Sequence, residues 1–260
     1  MIYLRKFETQ AAYEAAQSGL ILPNVSLTVD NNTVHYNPLN PTPPTPSHDY
    51  VEIGGIKWAT MNVGANSITD TGLYFEWGNP QGYSADQIGC EDGKKCFDDY
   101  YADYKWTEDG GETFTKYNDE DGLTVLQSSD DAVAAAWGGN WRMPTTAEFQ
   151  ALGTATTSAW TSSYEGSGVA GLVLTSKADS SKKLFFPACG FASYGGVYAV
   201  GICGYGWSSS LLADYGGSTA YGLNFDDGDD ESTGLRMDWQ YDYDNRDSGF
   251  PVRGVCDLST

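Results

Sequence analysis

The sequence predicts an α+β protein whose second half consists mainly of short strands and glycine-rich loops. In the predicted main domain two segments carry helix signals, one near Asp130 to Trp137 and one that starts at Thr145. Elsewhere, short apolar runs bounded by Gly, Pro, Asn or Asp are typical of strands and turns. Two helices combined with short strands and an irregular, loop-dominated second half predict an α+β fold.

The first predicted helix runs from near Asp130 to Trp137. Ser128 and Ser129 precede it as cap candidates, and two glycines, residues 138–139, follow it. The second starts at Thr145, just after Pro144, where Thr145 and Glu148 have capping-box spacing. Its apolar positions Phe149 and Leu152 are expected to face the core.

The remaining apolar runs predict short strands that are connected by glycine-rich loops. Such runs are enriched in β-branched and aromatic residues, which suit a pleated, half-buried surface. The predicted strands are residues 51–53, 73–75, 171–174, 184–186, 221–225 and 250–253.

The chain divides at a proline-rich segment. Residues 1–37 predict a short helix from Thr9 to Gly19, then a hairpin in which Val25, Leu27 and Val29 alternate with polar residues. Residues 38–49 predict a semi-rigid linker, because proline favours an extended backbone. Residues 50–260 are the predicted main domain, and 1–37 are an assembly or attachment segment, since so small a unit needs a neighbour to pack on.

The charge of the chain excludes several classes of partner. It has 35 acidic and 14 basic residues, a formal charge of −21. The electrostatic field of this negative charge repels nucleic acid and anionic lipid. The alternative explanation of the acidity is that it only keeps the protein soluble. No run approaches the roughly 18 apolar residues that a membrane span needs, so we expect no membrane insertion.

The cysteines favour synthesis in a reducing compartment. Their number, five, is odd, and the apolar cluster 20–22 is too short for the core of a signal peptide. Cys90 and Cys96 are close in sequence, so a disulfide between them under oxidising conditions remains open.

The sequence does not predict catalytic or metal chemistry. Both histidines, His35 and His48, precede the predicted main domain, so it offers no Ser/His/Asp or Cys/His arrangement. The cysteines lack zinc spacing. Four aspartates, Asp226, Asp227, Asp229 and Asp230, can chelate a hard cation, but such a run is more typical of a solvated loop. We expect no enzyme activity, no cofactor and no metal.

Several spaced motifs together resemble a known family. They are residues 57–64 (KWATMNVG), 72–78 (GLYFEWG), 137–145 (WGGNWRMPT), 185–190 (FFPACG), 207–210 (WSSS) and 249–253 (GFPVR). In this order they resemble the Fibrobacter-type major paralogous domain, over roughly residues 50–256. The resemblance implies a C-type lectin fold of the branch related to formylglycine-generating enzymes, which includes variable proteins of diversity-generating retroelements. Residues 1–40 resemble N-terminal segments of phage structural proteins.

Residues 189–250 have the composition of a binding surface. Their 62 residues include 12 Gly, 9 Asp, 7 Ser and 7 Tyr, and no Lys. Tyr supplies rigid amphipathic contact area and Ser, Gly and Asp supply adaptable hydrogen bonding, as in antibody paratopes. Retroelement diversification at Asn codons never produces Lys, Met, Gln, Glu or Trp. In this segment that set appears only as Trp207, Glu231, Met237, Trp239 and Gln240.

The predicted binding residues follow from this composition and from the resemblance. They are Ser193, Tyr194, Tyr198, Ala199, Cys203, Tyr205, Tyr215, Tyr221, Asp226, Asp238, Tyr241, Tyr243 and Asp247. We expect the side chains of six tyrosines to be exposed on one face, with Asp226, Asp238 and Asp247 at or around it: Tyr194, Tyr198, Tyr205, Tyr215, Tyr241 and Tyr243. Trp207 and Phe250, which lie in family motifs, are expected to be buried beneath that face.

These observations predict a receptor-binding protein, with a bacterial surface protein or glycan as its receptor. The resemblance implies a phage tail adhesin that is assembled in the bacterial cytoplasm, carried on the virion and attached to a tail or other virion protein through residues 1–37. A homo-oligomer is compatible with this arrangement. The alternatives are a bacterial cell-surface adhesin and, from another class, a catalyst related to formylglycine-generating enzymes, which a reactive low-pKa thiol would reveal.

Overall fold

The computed structural model describes residues 48–97, 101–111, 113–213, 216–228 and 243–258, and the backbone of three short strands between residues 6 and 35. The chain divides into two units, Met1–Thr45 and Pro46–Thr260. The boundary lies inside the proline-rich segment 38–49.

The described part of the first unit is a three-stranded sheet. Strand β1 (Lys6–Phe7) pairs in parallel with β2 (Ser26–Val29), and β2 pairs antiparallel with β3 (Asn32–His35). The hairpin predicted from the alternation of Leu27 and Val29 with polar residues is therefore confirmed. The helix predicted for residues 9–19 lies outside the described residues.

The second unit contains the remaining strands and two helices. Its first half holds β4 (Tyr50–Ile53), β5 (Ile56–Asn62), β6 (Tyr74–Phe75), β7 (Gly82–Tyr83), β8 (Thr107–Glu108), β9 (Thr113–Phe114), α1 (Ala132–Trp137), β10 (Trp141–Arg142) and α2 (Thr146–Ala155). Its second half holds β11 (Thr156–Thr161), β12 (Gly171–Ser176), β13 (Lys183–Pro187), β14 (Phe191–Ser193), β15 (Gly196–Tyr198), β16 (Cys203–Leu212), β17 (Thr219–Asp226), β18 (Tyr243–Asn245) and β19 (Arg253–Asp257). Single 3₁₀ turns occur at Ala85–Gln87 and Tyr164–Gly166.

A four-stranded antiparallel sheet joins the two ends of this unit. Its strand order is β10-β19-β5-β4, and the last strand pairs with the second, Val255 opposite Trp58. Strands β11-β12-β13 form a meander, and β16-β17-β18 form another three-stranded sheet. The short hairpins β6-β7, β8-β9 and β14-β15 complete the described strands of the unit.

Both helices lie where the sequence predicts them, although the predicted cap of α1 is wrong. Asp131, not Ser128 or Ser129, caps α1 by accepting hydrogen bonds from Val133 and Ala134 N–H at 2.9 Å. The helix ends at Gly138, whose φ is 64°. In α2 the predicted capping box of Thr145 and Glu148 is present. The predicted inward positions of α2, Phe149 and Leu152, are buried.

Tryptophans dominate two core clusters, as their place in the motifs predicts. Trp77, Trp141 and Trp207 are buried in one cluster with Phe250, and Trp58 is buried in another against Phe149. The buried indoles need partners for their N–H groups. Trp77 Nε1 donates to Ser208 O and Trp207 Nε1 donates to Phe75 O, each at 2.8 Å, whereas buried Trp58 Nε1 has no hydrogen-bond partner among the described residues. These four tryptophans are scaffold; Trp137 is half-buried and packs against the first cluster.

The sequence predicted an α+β class together with the C-type lectin fold of the resembled family, and this prediction is wrong. The part of the chain that the structure describes is mostly β, with 39% strand against 12% helix. Segments that the sequence suggested were irregular pair into strands, because their glycines fit closely packed sheets. At Gly204 in β16, for example, a Cβ atom would lie 2.1 Å from the Phe225 ring. The ring of its strand partner therefore occupies the space that a side chain would need.

Candidate binding surface

The hairpin β14-β15 presents Tyr194 at its tip. Ser193 pairs with Gly196, so Tyr194 and Gly195 form a two-residue connection. Both have positive φ, 44° and 69°, which is the signature of a type I′ turn. A tyrosine seldom adopts this left-handed backbone conformation. Its side chain is 61% exposed.

The base of this hairpin is held by the rest of the domain. Ala192 exchanges two backbone hydrogen bonds with Gly249, both 2.8 Å long. Ala192 is also fully buried against Tyr74, Ile88 and Phe97. The base of the hairpin is thus fixed, and its exposed residues are Tyr194 at the tip and Tyr198 on β15.

A disulfide-closed loop supports the tip. Cys90 and Cys96 form a disulfide, the pairing that the sequence left open. At Gly195, an added Cβ atom would lie 2.4 Å from Cys90 Sγ, so only glycine permits this close approach. The position of the Tyr194 turn therefore depends directly on the loop that the disulfide closes.

The turn that follows the hairpin exposes two aliphatic side chains. Ala199 has a φ of 57°, and its carbonyl accepts hydrogen bonds from Ile202 and Cys203 N–H. Gly201 N–H donates to Ala188 O at 2.8 Å, which anchors the turn to the domain. As a result Val200 and Ile202 project outward and are 58% and 63% exposed.

We call Tyr194, Tyr198, Val200 and Ile202 the apical patch. Tyr198, on β15, is 44% exposed. The large hydrophobic side chains that are exposed elsewhere among the described residues are isolated in sequence: Tyr50, Ile68, Val125 and Leu258. The apical patch places four such side chains within nine consecutive residues.

A column of aromatic rings connects the apical patch to the core. From the interior outward, centroid distances are 4.2 Å from Trp207 to Phe250, 4.7 Å to Tyr205, 5.2 Å to Phe191 and 5.8 Å to Tyr198. Trp207 and Phe250 are buried, as predicted, while Tyr205 and Phe191 are half-buried. Successive ring contacts of this kind restrict rotamers, so Tyr198 stands on a rigid support.

Strands β16 and β17 determine which predicted residues share a face with this column. Cys203 lies opposite Asp226 and Tyr205 lies opposite Asn224, and directly opposed residues project to the same side of a sheet. Because side chains alternate along a strand, Tyr221 projects to the other side of β17 from Asn224 and Asp226. Tyr221, which was not among the tyrosines expected on the exposed face, therefore projects to the other side of the sheet from Tyr205.

The predicted site residues consequently have different environments. Exposed are Tyr194 and Tyr198; half-buried are Ala199, Cys203, Tyr205, Tyr221 and Asp226; buried are Ser193 and Asp247. Tyr215, Asp238, Tyr241 and the side chain of Tyr243 lie outside the described residues. The expectation that Asp247 borders the exposed face is wrong: it is 2% exposed, and its Oδ2 accepts a hydrogen bond from Tyr101 N–H.

Val200 and Ile202 were not among the residues predicted from sequence. The prediction selected Tyr and Asp by their paratope-like chemistry and passed over aliphatic residues, which are ordinarily buried. A local signal was nevertheless present. Two β-branched residues flank Gly201 inside a segment of turn-forming glycines, where a tight turn cannot direct both side chains inward.

The environments of the three free thiols disfavour a thiolate. Burial raises the pKa of Cys189 to about 11, and burial together with the charge of Asp226 raises the pKa of Cys203 to about 11. Burial raises the pKa of Cys256 as well. At neutral pH these thiols are therefore protonated, whereas a nucleophilic cysteine requires a lowered pKa.

The described residues contain no group of three or more His, Cys, Asp or Glu side chains arranged to hold a metal ion. Asp229 and Asp230 of the acidic run lie outside them. In the same part of the chain, no helix has both the length and the apolarity for a membrane crossing. Comparison with protein-family models, curated proteins and solved structures finds no match to this chain.

Proposed function

We propose that this chain is a receptor-binding protein that contacts its receptor through the apical patch. The observation that carries the proposal is the exposure of Tyr194, Tyr198, Val200 and Ile202 within one short segment. Exposed apolar surface of this kind is unfavourable in water and becomes favourable when a partner covers it. The rigid aromatic column beneath Tyr198 lowers the entropy that binding would cost.

The turn conformations also support a binding role. Tyr194 and Ala199 both adopt left-handed φ values that non-glycine residues seldom occupy. Such conformations persist only where the surrounding structure enforces them, and they concentrate at functional sites. Here the enforced turns are the ones that project Tyr194, Val200 and Ile202 into solvent.

The sequence motifs support a more specific assignment within this proposal. The chain is a variable protein of a diversity-generating retroelement, carried on a phage tail through residues 1–37, with a bacterial surface molecule as receptor. A bacterial cell-surface adhesin is the alternative. The DNA beside the gene tests the retroelement assignment. The assignment requires a neighbouring reverse transcriptase gene and a near-copy of the 3′ end of this gene, with Asn codons at the positions where the two copies differ.

Substitution of the exposed tyrosines tests the receptor-binding proposal directly. Binding of the fluorescently labelled full chain to a panel of bacterial strains is measured by flow cytometry. We expect the double variant Tyr194→Asn/Tyr198→Ser to lose at least about tenfold in affinity for any strain that binds, because aromatic anchors dominate binding energy. Asn is chosen at position 194 because it tolerates the left-handed backbone.

The matched control is Tyr50→Ser, which removes another exposed tyrosine, 49% accessible, from strand β4. Both variants should retain the thermal stability of the parent chain, since exposed side chains contribute little to folding. Binding that survives the double variant but is lost with Tyr50→Ser would place the receptor contact on another surface and refute the proposal.

A further inference from the structure

The apical patch combines two kinds of apolar side chain. Tyr194 and Tyr198 have aromatic faces and hydroxyl groups, whereas Val200 and Ile202 are purely aliphatic and more than half exposed. Burying aliphatic surface stabilises a complex only where the partner surface is also apolar. The chemistry of Val200 and Ile202 thus constrains what can cover them.

A sugar is a poor match for the aliphatic half of this patch. Its hydroxyl groups need hydrogen-bond donors and acceptors, and they lose hydration without replacement when they are placed against Val or Ile side chains. Its flat C–H faces stack on aromatic rings, which only Tyr194 and Tyr198 can supply. By contrast, the cores of protein interfaces are apolar and rich in aromatic residues, with polar rims.

The charges near the patch have one predominant sign. Asp226 ends strand β17 opposite Cys203, and Asp227 follows it, so both lie near Ile202, which precedes Cys203. The disulfide-closed loop that contacts Gly195 carries exposed Glu91 and Asp92, with Lys94 paired to Glu91 at 2.9 Å.

The basic side chains of the loop are both paired, Lys94 with Glu91 and Lys95 with buried Glu76. Between residues 189 and 258, the basic residues in the described part are Arg246 and Arg253, and both are buried. The rim of the patch is therefore acidic, and the chain as a whole has a formal charge of −21.

We propose that the apical patch docks into an apolar pocket on a protein partner whose rim carries Lys and Arg side chains. The proposal rests on the receptor-binding function above and adds the chemical class of the receptor. Complementary charge around an apolar contact steers association and excludes wrong partners. A second copy of this chain does not fit, because its own acidic rim would oppose the first.

The test presents the biotinylated full chain to two libraries in parallel, a phage-displayed library of random dodecapeptides and a glycan array. We expect the selected peptides to combine aromatic or aliphatic residues with Lys or Arg, and we expect the array to remain unbound. Synthetic versions of the peptides are then measured by biolayer interferometry at low and at high salt.

Matched aliphatic pairs locate the contact. Val200→Ser/Ile202→Ser should weaken peptide binding at least about tenfold. The control, Val125→Ser/Ile68→Ser, removes the same residue types from positions 44% and 40% exposed and should leave binding unchanged. Asp226→Asn/Asp227→Asn should slow association and reduce its dependence on salt.

Three outcomes would overturn the inference. Glycan binding that requires Tyr194 and Tyr198 but tolerates Val200→Ser/Ile202→Ser would leave the receptor-binding function standing and exclude a protein receptor. If the parent chain self-associates in sedimentation experiments and the Val200→Ser/Ile202→Ser variant does not, the partner that covers the patch is a second copy of this chain. Peptide or glycan ligands whose binding is unchanged by substitution at all four patch positions would refute both the inference and the function on which it rests.

Discussion

Two aspartates of the same segment show how strongly position determines the role of a residue. Asp226 is half-exposed at the end of β17, whereas Asp247 is buried with a backbone N–H of Tyr101 as donor. Composition cannot separate them, because both are Asp in a Tyr/Gly/Asp/Ser-rich stretch. Their difference arises from neighbours that lie far away in the sequence.

Trp207 is the residue at which we expect the largest loss of stability. Trp207→Ala removes a fully buried indole, its stacking on Phe250 and its hydrogen bond to Phe75 O. We expect the free energy of unfolding to fall by about 3–5 kcal/mol, measured by urea denaturation. Tyr198→Ser, at the exposed end of the same aromatic column, should change it by less than about 0.5 kcal/mol. Equal losses from the two variants would contradict the division into scaffold and display residues.

His48 is expected to make stability depend on pH. Its ring stacks on Trp137 at 4.0 Å, and burial lowers its pKa below the usual value of 6.5 although the charge of Asp49 raises it. Below pH 6.5 the unfolded chain therefore binds a proton before the folded one does. The contribution of neutral His48 is present above pH 6.5 and is lost as pH falls toward the lowered pKa.

Thermal unfolding measures this contribution. Between pH 7.5 and 5.5 the melting temperature should decrease more in the parent chain than in His48→Phe, which keeps the aromatic contact but cannot titrate. Both chains carry the same carboxyl groups, so the effect of these groups on the melting temperature cancels in the comparison. An identical pH dependence of the melting temperature in the two proteins would contradict a lowered pKa of His48 in the folded chain.

At the scale of elements, the supports of the apical patch come from segments distant in sequence. The β14-β15 hairpin depends on Gly249 for backbone hydrogen bonds and on the Cys90–Cys96 loop for the position of its tip. Sequence patterns locate helices well, because capping residues act within four positions, as at Thr145 and Glu148. They locate such hairpins less well, because strand pairing is non-local.

Removing the disulfide should therefore affect the hairpin. Cys90→Ser/Cys96→Ser opens a short loop, for which the chain-entropy relation gives about 2 kcal/mol of lost stability. We also expect faster hydrogen exchange at residues 191–198, because Gly195 packs on Cys90. Cys203→Ser, which removes a free thiol, is the control. Unchanged exchange in the hairpin would mean that the loop does not support the tip.

At the scale of the molecule, buried arginines connect elements that the sequence leaves unrelated. Arg253 donates to Ala59 O and Asn62 Oδ1 on β5 and to Phe185 O on β13, which ties two sheets together. Arg246 donates to Tyr104 Oη and to the carbonyl groups of Tyr117 and Gly217, among surrounding aromatic rings. Interactions to backbone carbonyls have no sequence signature, so neither role was predictable.

The sequence by itself determined the features that depend on neighbouring residues or on side-chain volume: both helices of the main domain, the hairpin 26–35 and the burial of Trp58, Trp77 and Trp207. Only the tertiary structure decided the mostly β class, the burial of Asp247 and the exposure of Val200 and Ile202. The physical reason is that capping and hydrophobicity are local properties. Strand pairing and solvent exposure instead depend on which distant segments pack together, as Gly195 does on Cys90 and Ala192 on Gly249.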